Sequence, residues 1–146
     1  MRIFPNRPAV LAFAAALAGA AAAPAAHAAE AARGTDGLVV VPFEARNDGA
    51  APIVCAVAVA HWYSVELGRA GPGAAVAARL WADPAGGTVF VLNAHGDRLP
   101  VERLWCGLAG RGWATRSPVA LGRRAGEAPA PIRLACAANG ERLACR

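Results

Sequence analysis

The run His61-Trp62-Tyr63, followed by Ser64 and Glu66, places a base, a hydroxyl and a carboxylate within six residues. These are the group types of a hydrolase. The stretch reads as extended, however, and neighbours on a strand point to opposite faces, so His61 and Ser64 do not share a side. A strand-end cluster is the expectation, with His61 hydrogen-bonded locally and Trp62 or Tyr63 packed. His95 and Asp97 lie in a turn and could join His61 as a two-histidine, one-carboxylate metal site. That requires the loop after Leu92 to reach the end of the strand before His61. Turn residues of this kind are usually solvated, and neither a metal nor another cofactor is expected. Copper ligation by thioethers is excluded, because the only methionine is Met1.

Six arginines of the second half, Arg98, Arg103, Arg111, Arg116, Arg123 and Arg124, could present a basic face to an anionic partner. All 15 basic residues of the chain are arginine, which reflects base composition before function. Their distribution says more. Residues 30–97 hold four arginines and seven acids, whereas residues 98–146 hold nine arginines and three acids. The domain is thus expected to be electrically polarised along its sequence. Within this half, Gly107 to Gly112 is glycine-rich but lacks the Gly-Lys-Ser/Thr ending of a phosphate-binding loop. A hairpin loop accounts for it. The four tryptophans, Trp62, Trp81, Trp105 and Trp113, are expected to fill a core otherwise made of alanine and valine. If two of them prove exposed and adjacent, an aromatic ligand surface becomes the better reading.

Cys55, Cys106, Cys136 and Cys145 are even in number, which in an exported chain points to two disulfides. No Cys-x-x-Cys occurs and the histidines have no zinc-ligand spacing. Three pairings are possible, and Cys55 with Cys106 and Cys136 with Cys145 is the one expected. The second pair flanks Asn139-Gly140, where a four-residue loop from Asn139 to Arg142 puts Cys136 opposite Cys145. Cys55, on the bulky face of its strand, offers an anchor to a second layer.

The elements that must position these groups begin after residues 1–28, which read as a cleavable signal peptide. Arg2 and Arg7 form a positive start, residues 9–23 an apolar run, and Ala26-His27-Ala28 a small-x-small cleavage site. Unpaired arginines argue against twin-arginine export, and alanine after the cut argues against a lipid anchor. The expected product is periplasmic or secreted, with no stable membrane span. Cleavage leaves about 117 of the 146 residues and a formal charge of +3 instead of +5, because Arg2 and Arg7 depart. That is enough for one domain over residues 37–146, behind a flexible lead-in at 29–36.

Within the domain, residues 53–59 alternate large and small side chains and form a buried central strand. Strands are also expected at 38–43, where Pro42 suggests an edge or bulge, at 63–67, 76–81, 88–92 and 113–121, and on both sides of Asn139-Gly140. Pro100 to Leu104 could open a helical turn, and a short turn feeding a strand is favoured there. Seven or eight short strands with frequent turns predict an all-β, disulfide-stapled sandwich. Its layout resembles an immunoglobulin-like one in architecture only, since the antibody spacing of Cys, Trp and Cys is not met. A small sandwich without an evident nucleophile and base favours a non-enzymatic binding or accessory module. Its expected partner is an acidic protein, a polysaccharide or a lipid head group. Nucleic acid is disfavoured for an exported, disulfide-bonded protein. A small periplasmic hydrolase or metal-dependent enzyme using His61 and His95 is the alternative.

Overall fold

Alternating bulk produces the strand it implies. β2 (Ile53–Val59) fully buries Ile53, Cys55, Val57 and Val59, while Val54, Ala56 and Ala58 lie half-buried on its other face. The computed structural model describes residues 31–59 and 63–146, and every regular element among them is a strand. The expected signal peptide, His61 and Trp62 lie outside the described residues. The other strands are β1 (Val39–Asn47), β3 (Tyr63–Ala70), β4 (Ala75–Ala82), β5 (Val89–Leu92), β6 (Arg98–Leu108), β7 (Ser117–Val119), β8 (Ile132–Asn139) and β9 (Arg142–Cys145).

The strands join in one mixed sheet, in the order β3-β2-β6-β5-β4-β1-β8-β9, with β7 paired to β6. Among the described strands, only β1 and β8 run parallel. β6 divides the sheet into two arms: Arg98–Pro100 pair with β5, while Val101–Leu108 pair with β2. A bulge marks the switch, since Val101 faces Val59 and Arg103 faces Ala58, which makes Glu102 the extra residue of β6. The arms β5-β4-β1-β8-β9 and β3-β2-β6-β7 share one core, with Val41, Phe43 and Leu80 contributed by the first and Ile53, Val57 and Leu104 by the second. Pro42 falls where β1 already pairs with β4 but not yet with β8, whose register begins at Phe43. One flank of β1 is open there, as the missing N–H requires.

Two expectations are corrected. The short turn favoured at Pro100–Leu104 does not form, because Pro100 pairs opposite Phe90 and β6 continues as a strand through the bulge. The strand expected from Trp113 to Leu121 shrinks to Ser117–Val119, and Trp113 sits in the preceding loop.

Both expected disulfides are present, Cys55–Cys106 and Cys136–Cys145. Each joins directly opposite residues on neighbouring strands, so Cys55 ties β2 to β6 within one arm and does not bridge the layers. The sulfurs of Cys106, Cys136 and Cys145 nevertheless lie within 4.8 Å of one another, so the two bridges meet across the core. The β8–β9 register pairs Asn139 with Arg142, leaving a loop of only Gly140-Glu141. Gly140, at φ 61°, supplies the positive dihedral that so tight a turn needs.

Asn47 is the fully buried polar residue of the core, at 0% exposure. Its Nδ2 donates to the carbonyls of Ala51 and Ala70, and its Oδ1 accepts the N–H of Gly49. Its main chain is bonded to Gly73 and Ala74. Asn47 thereby joins the end of β1 to the β1–β2 turn and the end of β3 through its side chain and to the β3–β4 turn through its main chain, with every polar atom of the side chain satisfied.

Candidate binding groove

Because Cys55 and Cys106 face the core, their neighbours face outward, and the register aligns them in rows across the arm. Arg69, Val54 and Gly107 form one row, Glu66, Ala56, Trp105 and Pro118 the next, and Ser64, Ala58 and Arg103 a third. Trp105 therefore points away from the core. It is nonetheless only 6% exposed.

The loop between β6 and β7 covers it, and two glycines allow that. A Cβ on Gly107 would fall on the backbone of Gly112, and one on Gly112 would meet Val54 Cγ1 at 2.8 Å. Loop and sheet thus lie backbone to backbone. Thr115 fastens the arrangement: its Oγ1 accepts the N–H of Leu108 at 2.8 Å and donates to the carbonyl of Arg111 at 2.9 Å. Its own carbonyl accepts from the N–H of Leu143 on β9. Held in this way, Trp113 meets Trp105 edge to face, with centroids 5.1 Å apart and planes at 83°. Half of Trp113 remains exposed. Arg116 stacks 3.9 Å from the centroid of Trp113 and donates to its carbonyl at 2.8 Å.

A second strap, running from Ala120 to Pro131, closes the other side. Arg123 donates to the carbonyls of Val101 and Glu102 at 2.6 and 2.9 Å, which satisfies the backbone at the bulge. A Cβ on Gly87 would meet the carbonyl oxygen of Arg123 at 2.7 Å, so the strap lies directly on the β4–β5 turn. Between loop and strap opens a groove of about 350 Å³ lined by Arg103, Trp105, Trp113, Arg116, Leu121 and Arg123, among others.

Comparison with known proteins found no matching family model, curated protein or solved structure.

Of the six arginines singled out in the sequence, the fold brings Arg103, Arg116 and Arg123 to this groove. Arg111 is exposed on the loop that carries Trp113. Arg124 is exposed on the strap, 3.9 Å from Glu127. Arg98 lies elsewhere and donates to the carbonyls of Gly34 and Asp36, which docks the segment ahead of β1. His95 is exposed in the turn after β5. There Asn93 Oδ1 accepts the N–H groups of His95 and Asp97, and Asp97 pairs with Arg33 at 3.0 Å. Ser64 and Glu66 are exposed on β3. Arg69 binds both carboxylate oxygens of Glu66, at 2.8 and 2.9 Å. Those hydrogen bonds hold Glu66 below the usual carboxylate range and raise Arg69 above its ordinary value.

The Trp105–Trp113 pair was not legible as a pair, because nothing local says that one loop folds back on its own strand. The available signal was Gly107 and Gly112 flanked by the two tryptophans. Chemically, the groove offers an indole held on two sides, guanidinium donors from three arginines, and apolar walls from Pro118, Val119 and Leu121.

Proposed function

We propose that this protein is an exported, non-enzymatic binding module that holds an anionic partner in the groove between Trp113 and Arg123. The observation that carries the reading is the way its arginines are satisfied. Arg116 and Arg123 donate to backbone carbonyls. Arg103 makes no hydrogen bond or ion pair among the described residues. A carbonyl fixes a guanidinium without neutralising it, so the groove keeps a positive field and donor geometry suited to carboxylate or phosphate. The two arms around one core support a small sandwich of immunoglobulin-like layout. The two disulfides support an oxidising compartment, periplasmic or extracellular, reached through the signal peptide.

The test is binding of the protein to polyglutamate, a polyuronate and phosphatidylglycerol vesicles at low and high salt. At least one should bind and be weakened by salt, and the triple variant Arg103→Glu, Arg111→Glu, Arg116→Glu should lose it. Failure of all three probes, or binding that survives the triple variant, defeats the reading.

A further inference from the structure

Resting on that reading, we infer that the ligand of the groove is a carboxylate-bearing sugar chain. The volume of about 350 Å³ lies at the small end of small-molecule sites, which run roughly 300–1,000 Å³. It admits a ring or two, whereas a stable protein partner covers about 800 Å² on each side. The indole of Trp113 is half exposed and held from two directions, by Trp105 and by Arg116. Such a ring loses little conformational freedom when a flat partner stacks on it.

Beyond the groove the same face continues over Ala56 and Ala58 to Ser64 and Glu66 on β3. Three strands at about 4.8 Å spacing make a shallow floor about 10 Å wide, open at its ends, which suits a chain of rings better than a single closed-off molecule. The hydroxyl of Ser64 and the remaining lone pairs of Glu66 can meet sugar hydroxyls. Arg103, directly opposite Ala58, is the cation on this floor whose donors are unspent. A planar carboxylate matches its fork in two parallel hydrogen bonds.

A lipid surface fits less well. The exposed large apolar side chains among the described residues are Val40, Tyr63 and Trp113, and of these Trp113 alone lines the groove. Membrane-surface binding draws on a continuous apolar face of several residues.

The experiment is calorimetric titration of the protein with an oligogalacturonate, its methyl ester, a neutral oligosaccharide of equal length, polyglutamate and phosphatidylglycerol vesicles. Trp113→Ala, Trp113→Phe and Arg103→Gln are titrated alongside, with folding checked by circular dichroism. The free oligouronate should bind about tenfold or more tightly than the ester and the neutral chain. Trp113→Ala and Arg103→Gln should each weaken it about tenfold, and Trp113→Phe less, because a ring is retained. Equal binding of ester and acid overturns the assignment, as does indifference to Trp113→Phe and Arg103→Gln together. Binding of vesicles or polyglutamate without the oligouronate overturns the sugar and leaves an anion-binding groove. Silence from every anionic probe removes both.

Discussion

The interior of the molecule and the outer face of the β3-β2-β6-β7 arm are built from the same strands but treat polar groups differently. Inside, Asn47 has every hydrogen-bonding atom paired, and both disulfides are shielded by apolar side chains. Outside, Arg69 is paired with Glu66, but Arg116 and Arg123 are positioned by backbone carbonyls and not discharged. The contrast also divides the chain. In the first half Arg33, Arg46 and Arg69 each face a carboxylate, whereas beyond residue 97, among the described residues, only Arg124 does, at 3.9 Å. A positive excess in a sequence can vanish into ion pairs when the chain folds. Here the excess of the second half survives folding, because its carboxylates are few and Arg98, Arg116, Arg123 and Arg142 donate to backbone oxygen.

If the interior carries stability and the outer face does not, the largest losses must come from inside. Replacing Cys55 and Cys106 together by alanine opens a bridge across 51 residues, and replacing Cys136 and Cys145 opens one across 9. On the chain-entropy model these stabilise by about 4 and about 3 kcal/mol respectively. Urea denaturation of the two double variants should therefore rank the long bridge first. The reverse order would mean that the β8–β9 hairpin, not the central strand pair, holds the core. Next comes Asn47→Ala, which leaves the carbonyls of Ala51 and Ala70 and the N–H of Gly49 without their partner. A loss of about 3 kcal/mol is expected.

How much of this was readable beforehand follows the same division. β2 was legible because its large and small residues alternate, and the β8–β9 hairpin because Gly140 marks a tight turn. Those two features led to both disulfides. The parallel β1–β8 pairing was not legible, since it joins residues some ninety positions apart with no turn between them. Trp113 misled for a related reason: its propensity favours a strand, but Thr115 and the Gly107–Gly112 contact draw it into a loop. The basic half was visible as composition. That Arg98 would dock the segment ahead of β1 while Arg103, Arg116 and Arg123 gathered at one groove depended on the bulge at Glu102 and on the strap, neither of which leaves a local mark.

Arg123 tests the border between the two regions, since it lies on the outer face yet serves the backbone of β6. Arg123→Ala should cost about 1 kcal/mol, because it removes hydrogen bonds from the carbonyls of Val101 and Glu102. Arg103→Glu with Arg111→Glu should change the unfolding free energy by less than about 0.5 kcal/mol, as is usual for exposed positions without partners. Thermal melts that placed Arg123→Ala with the latter pair would show the strap to be dispensable to the fold.

The smallest effect on stability is expected at Arg69→Ala. Arg69 and Glu66 are both exposed, so the ion pair adds little to folding and the melting temperature at neutral pH should hardly move. The titration of Glu66 should move. Hydrogen bonds from Arg69 lower its pKa in the folded protein, and without them it should rise to the ordinary carboxylate value, measurable by carbon-detected NMR. A lowered folded pKa means that the pair stabilises above the unfolded value and that the contribution fades as the pH falls through the folded one. Wild type and variant should therefore converge in strongly acidic solution. Glu66 shares its row with Trp105, so the variant also leaves an unneutralised carboxylate on the face that bears the groove. An anionic ligand should then bind more weakly at low salt and equally well at high salt, where the added charge is screened. A titration of Glu66 unaltered by Arg69→Ala would mean that the pair does not persist in solution. The first half of the chain would then keep only the pairs Arg33–Asp97 and Arg46–Asp48, and the contrast with the second half would narrow.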